Sequence, residues 1–368
     1  MLHWGKRREG AYIMGNKIAS ITVDSQRLPL AEPFTTAQHT VTQLEAMVVR
    51  IQLDNGLTGI GASSPNAIVT GDTMGTMQSA VREGITPTII GADIDDWEAL
   101  LALVQSSIRN NSAAKAAVEI ALYHLRSQQF DTSLVQLLGG SGVTIQTDYT
   151  IGIADTEHMV AKARTLADKG FAAFKIKVGG ADLDTDLERV RAIANAVGGL
   201  TPLRLDANQG WTPKQAIHAI NRFADLDLNI QFVEQPVRAD DLDGLAHVTA
   251  NVGLPVMADE AVHTYRDALR LVNMHACDLI NIKLMKTGGL SQATKIAELC
   301  AGYGIDCMVG CMIEAPISLA AAVAFASAHA NVQYVDLDAA YMIAPDADVQ
   351  TPGYAVDGSY LTPITVDD

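Results

Sequence analysis

From Gly140 onward the chain repeats one beat, a short apolar stretch followed by an amphipathic one, until a tail breaks the pattern. The apolar stretches are Ile145 to Tyr149, Ala172 to Lys177, Leu203 to Asp206, Ile230 to Glu234, Pro255 to Ala258, Leu279 to Lys283, Ile305 to Val309 and Val332 to Asp336. Between them lie helix-period segments such as Glu157 to Lys169, Thr185 to Ala196, Pro213 to Phe223, Tyr265 to Met274 and Ser291 to Tyr303. Strands alternating with helices make βαβ units and a parallel sheet, and eight such strands are what a TIM-like barrel needs. The competing architecture, an open doubly wound sheet, lacks here the G-x-G-x-x-G turn after any of its strands.

The residues before Gly140 have another texture. Ile18 to Val23 and Met47 to Leu53 read as strands, and Asp54-Asn55-Gly56 turns the second into Leu57 to Gly61, a hairpin signal. Thr73 to Gln136 then reads as helical, richest in Ala, Leu and Glu from Ala113 to Gln128, and stops at Gly139-Gly140. The expected organisation is an extension over residues 1–13, an α+β capping domain over 14–138, a barrel over 139–343, and a tail over 344–368 that packs back on the cap.

Composition narrows the function classes. Hydrophobic residues are 48% and charged residues 18% of the chain, which excludes disorder as the main state. The net charge of −16, with no basic block beyond Lys6-Arg7-Arg8, argues against nucleic acid and anionic membrane as partners. The long uncharged run Ala315 to Val335 carries Pro316, Ser318, His329 and Asn331, so it reads as a buried helix and strand and not as a span. Met1 to Met14 lacks the apolar stretch of about 7 to 15 residues that a signal peptide needs. Cys277, Cys300, Cys307 and Cys311 form no C-x-x-C pair, which suits reduced thiols in a cytoplasmic protein.

Barrels of this kind display their chemistry at the carboxyl ends of the strands. Those ends carry Lys175 and Lys177, Asp206 and Asn208, Glu234, Asp259, and Lys283. One acid ending a strand is more simply a helix N-cap. Three of them in step, about one βα unit apart, make an all-oxygen set suited to Mg²⁺. Lys177 and Lys283 stand on strands far apart around the rim, which suits taking a proton from one face of a carbon and returning one to the other. Removing a proton α to a carboxylate produces an ene-diolate that a cation and an ammonium must stabilise. Lys286 reads instead as a solvated surface lysine.

Lys175-Ile176-Lys177, Asp206-Ala207-Asn208-Gln209-Gly210-Trp211, Val233-Glu234-Gln235-Pro236, Ala258-Asp259-Glu260 and Asn281-Ile282-Lys283-Leu284-Met285-Lys286-Thr287-Gly288-Gly289 resemble the muconate-lactonizing subgroup of the enolase superfamily. The resemblance runs from about Met14 to the end. It implies an α/β fold in which a (β/α)7β barrel is covered by an α+β cap built from the N-terminal segment and the tail. It implies Mg²⁺, with Mn²⁺ as a substitute, on Asp206, Glu234 and Asp259. It also implies acid/base lysines Lys177 and Lys283, Lys175 stabilising charge, Asn208 near the metal, and a homo-oligomer.

The eighth strand selects among reactions. It ends Asp336-Leu337-Asp338, and residues two apart face the same way, so two more carboxylates enter an acidic mouth. Loop capping is the plain alternative. A substrate ammonium is the cation that would make the pair affordable, and the pair resembles the signature of dipeptide epimerases such as the L-Ala-D/L-Glu type. Thr150 and Met312 share that similarity. The expected activity is inversion at the α-carbon of the second residue of an L-Ala-L-Xaa-type dipeptide. The alternatives are an N-acylamino acid racemase, an o-succinylbenzoate synthase, a cycloisomerase, or a noncatalytic barrel that binds peptides. Where glutamate-handling members are expected to carry an arginine, the segment Pro33 to Thr40 carries His39, so a polar or apolar second residue fits as well as glutamate. The segment Asn66 to Asp72 has the Gly71-Asp72 turn of a closing lid.

Overall fold

Gly56 in the Asp54-Asn55-Gly56 turn takes φ +91°, open to glycine at no steric cost, and the turn closes with Leu53 N–H donating to the Leu57 carbonyl at 2.9 Å. The computed structural model describes residues 16–35, 40–344, 347 and 353–365. The extension expected over residues 1–13 and His39 lie outside them. The turn joins β2 (Thr40–Leu53) to β3 (Thr58–Ser63), and β1 (Ile18–Thr35) completes an antiparallel sheet in the order β1-β2-β3.

β1 runs well past Val23, where the sequence pattern ended it. Pro29 is tolerated because β1 is an edge strand, and the register shifts between Pro29 and Phe34. Met342 to Ala344 lie along that edge. Ala31 N–H donates to Met342 O at 2.8 Å and Ala344 N–H to Pro29 O at 2.9 Å. On the other side, the helix Ser112–Gln129 presses its Ala117 and Ala121 turns against β3. A Cβ on Gly59 would lie 2.1 Å from Ala121 O, and one on Gly61 would lie 2.0 Å from Ala117 O.

β4 (Ile145–Gln146) corrects the expected first barrel strand. It pairs antiparallel with the tail hairpin, β13 (Tyr354–Asp357) and β14 (Tyr360–Pro363), in the order β13-β14-β4. Its apolar pattern is satisfied by that hairpin, so the barrel begins only at β5 (Tyr149–Ile151). The remaining strands fall where the pattern placed them: β6 (Phe174–Lys177), β7 (Leu203–Asp206), β8 (Ile230–Glu234), β9 (Val256–Ala258), β10 (Leu279–Ile282), β11 (Asp306–Gly310) and β12 (Val332–Asp336).

β5 to β12 form one sheet of eight strands, each parallel to its neighbours. The two ends approach through Asp148 N–H on Val335 O at 3.1 Å and Leu337 N–H on Thr147 Oγ1 at 2.8 Å. Helices follow the first seven strands, and the eighth leads into the short 3₁₀ turn Asp338–Tyr341. The uncharged run is the buried helix Pro316–Ala328 followed by β12. No helix among the described residues is long and apolar enough to cross a membrane. Phe232, Met257, Leu279 and Met308, with Tyr334 against them, fill the barrel floor.

The close approach of β3 to Ala117 predicts that Gly61→Ala, whose methyl meets backbone and not a movable side chain, costs about 1–3 kcal/mol. The check is a lower urea midpoint with the slope m unchanged.

Candidate active site

Side chains alternate along a strand, so each mouth residue has an inward neighbour two positions earlier, one layer deeper. Below Asp206 lies Arg204, below Glu234 Phe232, below Asp259 Met257, below Lys283 Asn281, below Asp336 Tyr334 and below Thr150 Asp148. The Arg204 guanidinium lies 5.1 Å from the Tyr334 ring centroid and 5.8 Å from that of Phe232. It donates to Asp148 Oδ2 at 2.7 Å, Val335 O at 2.9 Å and Gln231 Oε1 at 2.9 Å. A buried ion pair therefore shares the layer beneath the rim with the Phe232 and Tyr334 rings.

At the rim, Lys175 Nζ lies 2.7 Å from Asp336 Oδ2, 2.8 Å from Glu234 Oε2 and 3.2 Å from Asp206 Oδ2. Lys177 Nζ meets Asp206 Oδ2 at 2.6 Å, and Lys283 Nζ meets Asp259 Oδ2 at 2.8 Å. All of these side chains are buried. The pattern Lys-x-Lys thus places both lysines of β6 inward, and the three acids and Lys283 share the same mouth. Asp338 stands beside them, its Oδ2 accepting the Thr150 N–H at 2.9 Å. Asn208 donates its N–H to Asp206 Oδ1 at 3.0 Å and its amide to Glu260 Oε1 at 3.1 Å.

Lys286 is a correction. It is 1% exposed and grips Asp259 through both the carboxylate and the backbone carbonyl, because the short helix Leu284–Thr287 turns it back under β9. Other residues missed in the sequence are Asn281, donating to Glu234 Oε1 at 2.7 Å, and Gln235, whose Oε1 accepts from Asp259 N at 2.9 Å and Ala261 N at 3.1 Å. Gly310 is a third, since a Cβ there would lie 2.9 Å from Lys283 Cε. Counting two residues back from each rim residue would have found Asn281, Arg204 and Asp148.

The charge balance is acidic. Burial, with Asp206 alongside, pushes the Glu234 carboxyl up to about 7. Burial and the neighbouring Asp336 raise Asp338 to about 6. For Asp336 burial works the other way from its partners, and Lys175 and Lys283 prevail and hold it down to about 2. Burial likewise opposes the charged form of Lys175, yet Asp336, Glu234 and Asp206 keep it protonated well above the usual lysine range. Lys175 is therefore a fixed cation.

Asp206, Glu234 and Asp259 offer a divalent ion hard oxygen donors, and Glu234 Oε2 receives no well-directed hydrogen bond although Lys175 is close. Each of the three carboxylates is paired with a lysine, and among the described residues no three ligating side chains converge on one point. The donor set fits Mg²⁺ with the carboxylate oxygens that the ammonium groups now occupy.

Over the end of β11 stands the compact segment Asn66 to Asp72, closed by an Asn66–Asp72 bridge. Asn66 Nδ2 reaches Met312 Sδ at 3.5 Å, and Asp72 Oδ2 accepts the Ala113 N–H at 3.2 Å. Val41, Gln43, Pro65, Asn66, Ala67, Ile68, Met312 and Ile313 line a cavity of about 310 Å³ there, and none of these described lining residues is charged.

Comparison with known proteins supplies a lineage. Residues 158–365 match the enolase C-terminal domain-like family model, and residues 18–139 match that of the mandelate racemase / muconate lactonizing enzyme N-terminal domain. The substrate-liganded L-Ala-D/L-Glu epimerase of Bacillus subtilis superposes with a TM-score of 0.92 at 42% identity, covering 95% of this chain and 97% of that one. The dipeptide epimerase of Enterococcus faecalis complexed with Mg and the dipeptide L-Leu-L-Tyr superposes with a TM-score of 0.89 at 38% identity, covering 95% and 97%. A hydrophobic dipeptide epimerase of Enterococcus faecalis is 41% identical over 88% of this chain and 91% of its own length.

Removing one partner of a buried ion pair strands the other charge. Arg204→Met is expected to cost about 3–5 kcal/mol by leaving Asp148 unpaired, read as a drop in urea midpoint, while Arg204→Met with Asp148→Leu recovers part of the loss.

Proposed function

The chain belongs to the mandelate racemase / muconate lactonizing enzyme family of the enolase superfamily, and from that premise we propose that it is an Mg²⁺-dependent dipeptide epimerase. The observation that carries the reading is the Asp336–Asp338 pair. Both carboxyls are buried, one is engaged by Lys175, and the other is under-compensated enough for its pKa to rise to about 6. A buried carboxyl in that condition is stabilised by an incoming cation. The free ammonium of a dipeptide is such a cation, whereas an acylated amine or a muconate brings none.

In this reading Asp336 and Asp338 hold the substrate ammonium, with the Thr150 N–H fixing Asp338. Asp206, Glu234 and Asp259 would hold the ion, with Asn208, Asn281, Gln235 and Lys286 orienting them. When bound, the ion supplies positive charge for the substrate carboxylate and for the charge that develops there as the α-proton leaves. Lys175, a fixed cation, adds to that stabilisation. Lys177 and Lys283 reach the α-carbon from opposite sides. One takes the proton in its neutral form while the other, as ammonium, delivers one to the opposite face, and reversal uses the same pair with roles exchanged. Met312 and the Asn66–Asp72 segment cover the second side chain, in a cavity whose described lining is apolar and polar but uncharged.

Mass spectrometry of dipeptides incubated with the Mg²⁺-loaded protein in D₂O tests this, using a panel that includes L-Ala-L-Glu and L-Leu-L-Tyr. The expected result is a one-dalton gain at the second residue with inversion, lost with a chelator. Exchange on N-acyl amino acids and on no dipeptide overturns it. Lys177→Ala and Lys283→Ala should each abolish inversion, each retaining exchange from one epimer only. Asp338 gains a proton as pH falls through about 6 and then no longer attracts an ammonium, so KM should rise below that pH while Asp338→Asn has a high KM at every pH.

A further inference from the structure

Glu119 is a fully buried carboxylate on the cap helix Ser112–Gln129, and the chemistry above makes no use of it. Its Oε1 accepts from Ser291 Oγ at 2.6 Å and Gln105 Nε2 at 2.6 Å, and its Oε2 accepts the Ser291 N–H at 2.9 Å. Ser291 lies in the first turn of the barrel helix Leu290–Tyr303, whose own N-cap is Gly289 and offers no side chain. A carboxylate from the cap therefore does the capping for a helix of the barrel.

The same contact explains the two glycines ahead of that helix. Gly288 has φ +89° and Gly289 φ +120°, and a Cβ on Gly289 would lie 2.5 Å from Glu119 Oε2. Gln105 Nε2 also donates to Gly288 O at 2.8 Å. These glycines end the short buried turn that Lys283 begins. Lys283 O accepts from Lys286 N and Thr287 N at 3.0 Å, and Leu284 O accepts from Gly288 N and Gly289 N at 3.1 Å. The far end of the turn carrying Lys283 and Lys286 is thus pinned to the cap, while among the described residues Lys177 on β6 bonds only to Asp206 within the barrel.

We propose that Glu119 is a positioning residue for Lys283: through Ser291 and the Gly288-Gly289 pair it holds the Lys283–Thr287 turn, and with it one of the two bases, in register with the cap. The catalytic half of this inference rests on the two-lysine epimerase reading. A base displaced by a fraction of an ångström loses rate steeply, so losing Glu119 should impair one stereochemical face and spare the other. General damage to the fold would slow both.

The test compares Glu119→Gln, Glu119→Ala and Ser291→Ala, each loaded with Mg²⁺. The rate of deuterium uptake at the second residue is measured separately from the L,L and L,D forms of whichever of Ala-Glu or Leu-Tyr the native enzyme exchanges. Lys283→Ala and Lys177→Ala identify which epimer reports which base. The expected result for Glu119→Ala is a loss of about tenfold or more on the Lys283 face and less than about twofold on the Lys177 face, with Ser291→Ala intermediate. Equal losses on both faces, or none, overturn the proposal. Amide hydrogen exchange gives a readout that needs no substrate. Residues 284–291 should lose protection in the Glu119 variants while β6 and β7 keep theirs, and unchanged protection at 284–291 overturns the pinning itself. Failure of the native protein to exchange any dipeptide, with protection lost at 284–291 as expected, would refute the epimerase reading and the role of Glu119 in it while leaving the structural tie standing.

Discussion

Closing eight parallel strands on themselves forces every second side chain into a space that water hardly enters, and the rest of this molecule follows from what it puts there. Hydrophobic side chains fill the bottom of that space at no electrostatic cost, and Phe232, Met257, Leu279 and Met308 do so. Charges placed among and above them must find opposite charges within hydrogen-bonding reach. Arg204 with Asp148 is the first such pair, and the rim above repeats the arrangement with lysines and carboxylates in a branched network. The network falls short of neutrality on the positive side, a deficit that the metal ion and ammonium of the proposed function would offset.

The same constraint explains how far the sequence could be read. The barrel strands stood out because each is a short apolar run followed by a helix-period segment, and the rim acids and lysines stood out because they end those runs. Ile145 and Gln146 misled because pairing with a hairpin more than two hundred residues away selects the same apolar pattern as a barrel strand, and no local feature separates the two. Lys286 misled for a related reason. Its burial comes from the short turn Leu284–Thr287, and a charged side chain two residues before a glycine pair looks like any surface loop lysine. Arg204, between Leu203 and Leu205, and Asp148, just before Tyr149, were within reach of the period-2 rule, but neither ends its strand, where attention to the rim falls.

The cap is more than a cover. Its Ala-rich helix lies so close to β3 that two glycines are required there, and on another side it reaches the barrel turn beyond Lys283. That helix is wedged between the cap sheet and the barrel turn Leu284–Thr287, so the two are held in one register. The mouth is assembled from both parts: the segment Asn66 to Asp72 is anchored on that helix through Asp72 and touches the barrel through Met312.

The pairing of Met342 to Ala344 with the edge of β1 bears on how the chain acquires its shape during synthesis. β1 leaves the ribosome well before the segment Met342 to Ala344 that covers its edge. The barrel seam between β5 and β12 waits equally long. Until those segments are made, the nascent chain carries two unsatisfied sheet edges, the kind of surface on which neighbouring chains pair wrongly. Pro29 and the register shift that follows it interrupt one of those edges. The features that looked like irregularities of a long strand then protect an edge that is covered only once β12 and the segment after it have been made.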